Sequence, residues 1–463
     1  SESDAVSLGS VSVAVRRVAL DGTVPGTALG TANVTQEDLS ATGAGQVVLM
    51  VGGNLTVNAG TAGTVGVSSA SGNVLLSAVG SLNLNAGLDA GSGQVSLVSG
   101  GAMSLAAEGD IRTIAGTVDL ESGASLLMAD GAVVMTGGSN TGNIRLKAAG
   151  DITVGQLDAR VAADRTAAAL TGQSGWGAVS VVSTGGSILD NDAEVTAGST
   201  DVYASELRLN AATPGKSLGQ SANALETEVV TLSAVAGTAG LYVTEASALT
   251  IGQTAAVTVN RVKTDGTVSS SVQTDAAQSN LTSAGNLIVV TTAGSLQTLA
   301  AGGAVSAAGN LLMQAGGLTS DLTLGAAVSN TAGATSLKAG RALVQNANIT
   351  ASGNGTVDAR AATSIGMADG VLTSSASGNI RYAAGSTLTL GALSTTGNVS
   401  LSASSITDSG TSGTTDVTAN ELRLVTMGTA SGNGAGTASN HLKLNVSKLA
   451  ASVLGAGGLY VTE

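Results

Sequence analysis

The stretch SGNVLLSAVGSLNLNAG, Ser71 to Gly87, decides the fold. It reads Gly-Asn, then alternating aliphatics, then Gly, then alternating aliphatics again. Close variants follow along the chain: GNLTVNAG from Gly53, GNIRLKAAGDITVG from Gly142, GNLLMQAGG from Gly309, GNIRYAAGSTLTLG from Gly378 and GNVSLSAS from Gly397. Val74, Leu76 and Ala78 share one face, as do Leu82, Leu84 and Ala86. Apolar residues at every second position make strands, because side chains alternate across a strand. A helical repeat would show a period of about 3.6 instead.

Block starts recur at a near-constant interval. Gly45, Gly72, Gly93, Gly116 and Gly142 are 21 to 27 residues apart, and Gly285, Gly309, Gly333, Gly355 and Gly378 are 22 to 24 apart. Such periods mark a solenoid. Short strands between glycines, with one face inward, predict an all-β fold: a right-handed parallel β-helix with coils of about 20–27 residues. At about 4.8 Å per coil, roughly 18 coils would make a rod on the order of 85 Å long. The Gly-Asn pairs are expected at corners. There Gly would supply positive φ, Asn would tolerate left-handed geometry, and stacked Asn side chains would form an amide ladder. Gly-Asn also marks hairpin turns in a sandwich, but hairpins do not predict a constant coil length.

The chain is also a tandem duplication. GLYVTE occurs at Gly240 and again at Gly458, and the opening SESDAVSLG matches TEASALTIG from Thr244. GTVDLESGASLLMADGAVV from Gly116 matches GTVDARAATSIGMADGVL from Gly355, and TDVYASELRL from Thr200 matches TDVTANELRL from Thr415. Two β-helical modules are therefore expected, residues 1–243 and 244–463. The offset between matching positions falls from 240 to 215, mainly because Ala159 to Gly177 is much shorter in the second module. Ala159 to Leu170 is Ala-rich and is read as a short helical excursion. Asn223 to Ala234 is open between a helix start and a strand.

Of 463 residues, 66 are Gly and only two are Pro, while AVILMFWYC make up 43%. There is no Phe, one Trp and four Tyr. An interior of Val, Leu, Ile and Ala suits a tube too narrow for large rings. Charged residues are 11% and the net charge is −13, with no Lys/Arg cluster. This argues against nucleic acid, which is bound through cationic neutralisation of phosphates. No apolar run is long enough to predict a transmembrane segment. Cys is absent, which is consistent with export of an unfolded chain. The start at Ser and the in-phase repeat are read as a part of a longer precursor.

Blocks of the form GNIxLxAxGxIxxG, followed by ELRL and GLYVTE, resemble the large bacterial exoproteins of the filamentous-haemagglutinin type. The resemblance spans essentially the whole chain and rests on repeat style. It implies a right-handed parallel β-helix at a Gram-negative cell surface, extracellular, with an adhesive or structural role as rod, filament or adhesin stalk. The expected partners are further copies of the module, end to end, together with cell-surface glycans or other cells.

Residues for chemistry are few. The only His is His441, without a counterpart in the first module, so triads and His-rich metal sites find no support. The strongest acidic cluster is SILDNDAEVTAGSTD, with Asp190, Asp192, Glu194 and Asp201. Alternating oxygen ligands hold calcium, and Asp190, Asp192 and Asp201 are the candidate ligands; no other cofactor is expected. The twin SITDSGTSGTTD keeps only Asp408 and Asp416, which favours turn-capping over a shared calcium site. The same carboxylates invite an alternative, a polysaccharide-binding or polysaccharide-cleaving β-helix. Its aromatic platforms would have to come from Trp176, Tyr203, Tyr242, Tyr382 and Tyr460, which are too few, and no enzyme is expected. A surface-layer or sheath lattice protein is the third reading. The sequons at Asn54 and Asn398 arise readily in an Asn/Ser/Thr-rich chain.

Overall fold

The computed structural model describes residues 4–24, 35–61, 63–166, 171–192, 200–410 and 413–463. These residues form parallel strands stacked in a β-solenoid of about 17 turns, with a single short 3-10 turn at Ala162–Thr166. A typical coil has three sides: Val118–Ser122, Leu126–Met128 and Val133–Met135. The next coil lies directly above it, pairing Val118 with Ile144, Leu120 with Leu146, Leu126 with Ile152 and Val134 with Leu157. Because register is kept from coil to coil, inward aliphatics stack in columns. They form one continuous core from Val47 to Leu444. Full burial of each Val, Leu or Ile contributes about 1.5–3 kcal/mol, so the tube is held by many equivalent layers.

The Gly-Asn corners are built differently from expectation. None of Gly45, Gly72, Gly93, Gly116 and Gly142 has positive φ. Three of them are required by crowding: a Cβ on Gly72 would overlap the carbonyl oxygen of Gly45, one on Gly93 that of Gly72, and one on Gly116 that of Gly93. The amide side chain after Gly45, Gly72, Gly93 and Gly142 accepts a backbone hydrogen bond from the coil above. Gln46 Oε1 takes the Asn73 N–H (2.7 Å), Asn73 Oδ1 the Gln94 N–H (2.9 Å) and Gln94 Oε1 the Thr117 N–H (2.7 Å). The amide side chain thus continues the ladder where the backbone turns away. Direct amide–amide stacking occurs elsewhere, as from Asn85 Nδ2 to Asn58 Oδ1 (2.9 Å).

The tube does admit a ring. Tyr382 is fully buried in the column that Leu146 occupies in the first module. Its hydroxyl meets Gln345 Oε1 (2.8 Å) and Thr373 Oγ1 (2.7 Å), and Gln345 Nε2 donates to Thr373 Oγ1 (2.9 Å). The first-module counterparts of these three residues, matched block by block, are Leu105, Val134 and Leu146. Trp176 is buried outside the tube, with Nε1 donating to Asp164 (2.6 Å) and its ring edge-on to Tyr203 at 6.4 Å. It pins the excursion, whose described part is the 3-10 turn; residues 167–170 and Glu194 lie outside the described residues. The stretch Asn223 to Ala234 is strand from Leu225 onward, part of Leu225–Ala236, with Asn223 in an isolated bridge to Gln220.

At the module junction, blocks alike in sequence do not stack on each other. Gly240–Glu245 pairs with Ser217–Leu218 and with Leu225, Glu226 and Thr227 below, then with Leu287–Thr291 above. The end of Leu225–Ala236 pairs with Leu281–Ser283, a third-side strand of the next module. The second module therefore enters displaced round the tube, with hydrogen bonding unbroken.

Between its second-side strand Leu249–Ile251 and its third-side strand Leu281–Ser283, the second module inserts a hairpin, Val257–Asn260 antiparallel to Val272–Asp275. This hairpin lies as a strap along the first side of the first module. Val262 N donates to Ser96 Oγ (2.9 Å), Asn260 N to Thr117 Oγ1 (2.9 Å), Asn143 Nδ2 to Thr258 O (2.9 Å) and Asn73 Nδ2 to Gly266 O (2.9 Å). Arg208 Nε donates to Ala276 O (2.9 Å). Val257, Val259 and Val262 are buried.

Candidate functional site

Ile188–Asp190 continues the second side of the first module, and Asp190 stands opposite Val154 of the coil below. A carboxylate thus replaces an inward aliphatic. Asp190 is 8% exposed; its Oδ1 accepts the Asp192 N–H (3.1 Å), while its buried Oδ2 has no hydrogen-bond partner among the described residues. Asp201 enters from the third side and is locked to the next coil: Asp201 N donates to Glu226 O (2.9 Å), and Asp201 Oδ2 accepts the Glu226 N–H (2.8 Å). One carboxylate oxygen each of Asp190, Asp201 and Glu226 lies within 4.8 Å of the others. Burial pushes both Asp190 and Asp201 above the usual carboxylate range; the Asp190 charge adds to the rise at Asp201, and the Asp192 charge to the rise at Asp190.

Of the expected calcium ligands, then, the structure brings Asp190 and Asp201 together. Asp192 is not part of this group; its backbone carbonyl instead accepts Asn223 Nδ2 (2.6 Å). Glu226, the third carboxylate, escaped sequence reading. It sits one coil further on, and only coil register places it beside Asp201.

The twin corner differs in charge. Asp408 and Asp416 match Asp190 and Asp201, and Asn440 Nδ2 donates to Gly410 O (2.8 Å) as Asn223 does to Asp192 O. Glu226 is replaced by Lys443, whose backbone N–H also binds its aspartate, Asp416 Oδ2 (2.8 Å). The Lys443 ammonium lies 2.7 Å from Asp408 Oδ2. The second corner thus contains its own cation. His441 is half-buried beside it, with Nδ1 2.9 Å from Thr462 Oγ1.

The second distinctive region is the strap contact. Asp119, with no exposed side-chain surface, lies between Arg145 (2.8 Å) and Arg261 (2.6 Å); Arg261 also meets Glu121 (2.6 Å) and Arg145 meets Asp275 (3.1 Å). Among the described residues no helix is long and apolar enough to cross a membrane. Compared with known proteins, the chain matches no family, no curated protein and no solved structure.

Proposed function

We propose that the chain is a structural repeat segment of a large secreted bacterial surface protein, a rod or stalk lengthened by adding modules end to end. The observation that carries this reading is the junction, where one module continues into the next through unbroken parallel pairing and a strap. The last coil offers the same kind of surface. Leu232 is fully buried under the following coil, whereas its counterpart Leu449 is 40% exposed, with Leu454 and Leu459 open beside it. An uncovered strand edge with apolar side chains is a template for another coil, and a head-to-tail contact of this type builds fibres.

The aromatic residues support a passive rod over polysaccharide cleavage: Trp176 and Tyr382 are buried and offer no platform for a sugar. Negative-stain microscopy of the chain over a range of concentrations tests the reading. Rods of constant width, with lengths in multiples of about 80 Å (17 coils at about 4.8 Å), are expected. Compact particles would overturn it, and flat two-dimensional arrays would favour a lattice protein.

A further inference from the structure

The strap has a second copy. Residues 9–24 match residues 253–268: Val13, Val15, Arg17, Val18 and Gly22 stand where the second module has Val257, Val259, Arg261, Val262 and Gly266. They are inserted at the same place, between Val6–Leu8 and Leu39–Ala41. The turn at the tip is already formed. Gly22 has φ +80° and Gly266 +78°; Ala19 N bonds Thr23 O (2.9 Å) as Lys263 N bonds Thr267 O (2.8 Å). An antiparallel bridge closes the base of each, Val11 with Gln36 and, one position earlier in the alignment, Thr254 with Gln278. Yet Val15 and Val18 are 59% and 62% exposed, where Val259 and Val262 are 0% and 2%. Among the described residues no face lies beneath the first module's arm.

The missing face is present in the second module. Under the docked strap runs a column of outward residues in register: Leu75, Ser96, Asp119, Arg145, Ser180 and Arg208. The second module repeats it as Leu312, Ser336, Asp358, Arg381, Ser400 and Arg423. The anchoring polar residues recur as well, with Asn310, Thr356 and Asn379 for Asn73, Thr117 and Asn143. No strap covers this second column among the described residues, and an open trough of ≈ 740 Å³ lies along Arg381, Ser400 and Arg423.

We propose that the arm of one copy docks on the second-module face of another copy, reproducing between chains the strap contact seen within the chain. Resting on the end-to-end reading above, this names its clamp. The docked hairpin supplies the geometry, and the preformed turn lowers the ordering cost of association. One exchange weakens the intermolecular version: Arg360 stands where the first module has Glu121, so Arg17 finds one carboxylate, Asp358, where Arg261 has two.

The chain has no Cys, which permits a clean cross-linking test. Val18→Cys chains mixed with Ser336→Cys chains should give a covalent heterodimer under mild oxidation, as Val262 over Ser96 dictates. The comparison mixture, Val18→Cys with Ser96→Cys, should not, because the strap already covers Ser96. Equal yields from the two mixtures would overturn the arm contact. Val15→Asp/Val18→Asp should weaken self-association at least tenfold in sedimentation, with the melting curve unchanged because these side chains are exposed. Should that variant still form rods as readily as the wild type, the arm contact falls and the rod reading stands. Should the wild type fail to form rods, with cross-linking still observed, the reverse holds.

Independently of the arm, Lys443 points to a cation. We infer that the corner of the first module binds one hard divalent ion of the calcium class between Asp190, Asp201 and Glu226. Two observations support it: Asp190 Oδ2, buried and with no hydrogen-bond donor among the described residues, and the ammonium that occupies the equivalent corner of the twin. Oxygen-only ligands with clustered negative charge suit such an ion. Isothermal titration with CaCl2 should find one site per chain, and the melting temperature should rise with added calcium. Glu226→Lys, which copies the second module, should abolish binding while leaving the metal-free chain at least as stable. Asp190→Asn should weaken binding at least tenfold. No binding at millimolar calcium, or undiminished binding by Glu226→Lys, would overturn it.

Discussion

Arg261 Nε lies 2.6 Å from Asp119 Oδ2, a contact across 142 residues and between the two modules. Asp119 also holds Arg145 and is wholly shielded from water by the strap. A carboxylate shared by two guanidiniums tolerates burial because both neutralise it, and its removal strands them.

Asp119→Ala is therefore expected to cost about 3–5 kcal/mol. Asp358→Ala, the same change on the uncovered face, is expected to cost no more than about 1 kcal/mol, since Arg360 and Arg381 are largely exposed there. Urea unfolding of the monomeric chain measures both. Similar losses would mean that the strap does not shield the first site. Early proteolytic cleavage near residues 261–268 in Asp119→Ala would show the strap lifting.

The corner glycines give a second contrast. A Cβ at Gly93 meets the Gly72 carbonyl, which is backbone and cannot step aside, so Gly93→Ala should cost about 1–3 kcal/mol or more by overpacking. Gly366 lies in Ile365–Met367 with open space around it, and Gly366→Ala should stay within about 0.5 kcal/mol. Thermal melts of both variants check this. A neutral Gly93→Ala would mean that coil spacing is softer than the stacking implies.

The coil was legible because its cause is local. Val74, Leu76 and Ala78 alternate, and a glycine resets the count at each corner. The reason for that glycine was not legible, because the carbonyl it must clear belongs to the coil below. The strap was hidden for a similar reason. VTVN and VQTD alternate like any solenoid strands, and only the excess length between Leu249–Ile251 and Leu281–Ser283 over a normal side betrays an insertion. Asp190 and Asp201 stood in one acidic stretch and were found. Glu226 and Lys443 lie a coil away, and their place at the corner depends on register alone.

The polar trio inside the second module predicts non-additive mutants. Tyr382→Phe leaves Gln345 Oε1 without its 2.8 Å donor in a dry core, at an expected cost of about 1–3 kcal/mol. Gln345→Leu, Thr373→Val and Tyr382→Leu together copy the first module and remove all the polar partners at once. Such a triple variant should lose far less than the sum of its single changes. Denaturant titration of the four variants tests it; additive losses would contradict a shared network.

Glu245, at the junction, predicts a pH dependence. Its carboxyl is buried, accepting Thr227 Oγ1 (2.7 Å) and the Val229 N–H (3.2 Å), with Glu228 nearby. Burial above all, and then the Glu228 charge, hold it well above the usual carboxylate range despite those hydrogen bonds. The folded chain therefore keeps a proton that the unfolded chain releases near pH 4.5. The resulting stabilisation is complete below that pH and is lost as pH rises towards the folded value, by about 1.4 kcal/mol per pH unit. Glu245→Gln keeps a neutral polar side chain and has no proton to lose. The melting temperature of the wild type relative to Glu245→Gln should thus fall steadily between pH 5 and 8. The difference between the two proteins cancels the titration of every other carboxylate, so a constant difference over that range would show that Glu245 is ionised without penalty in the fold.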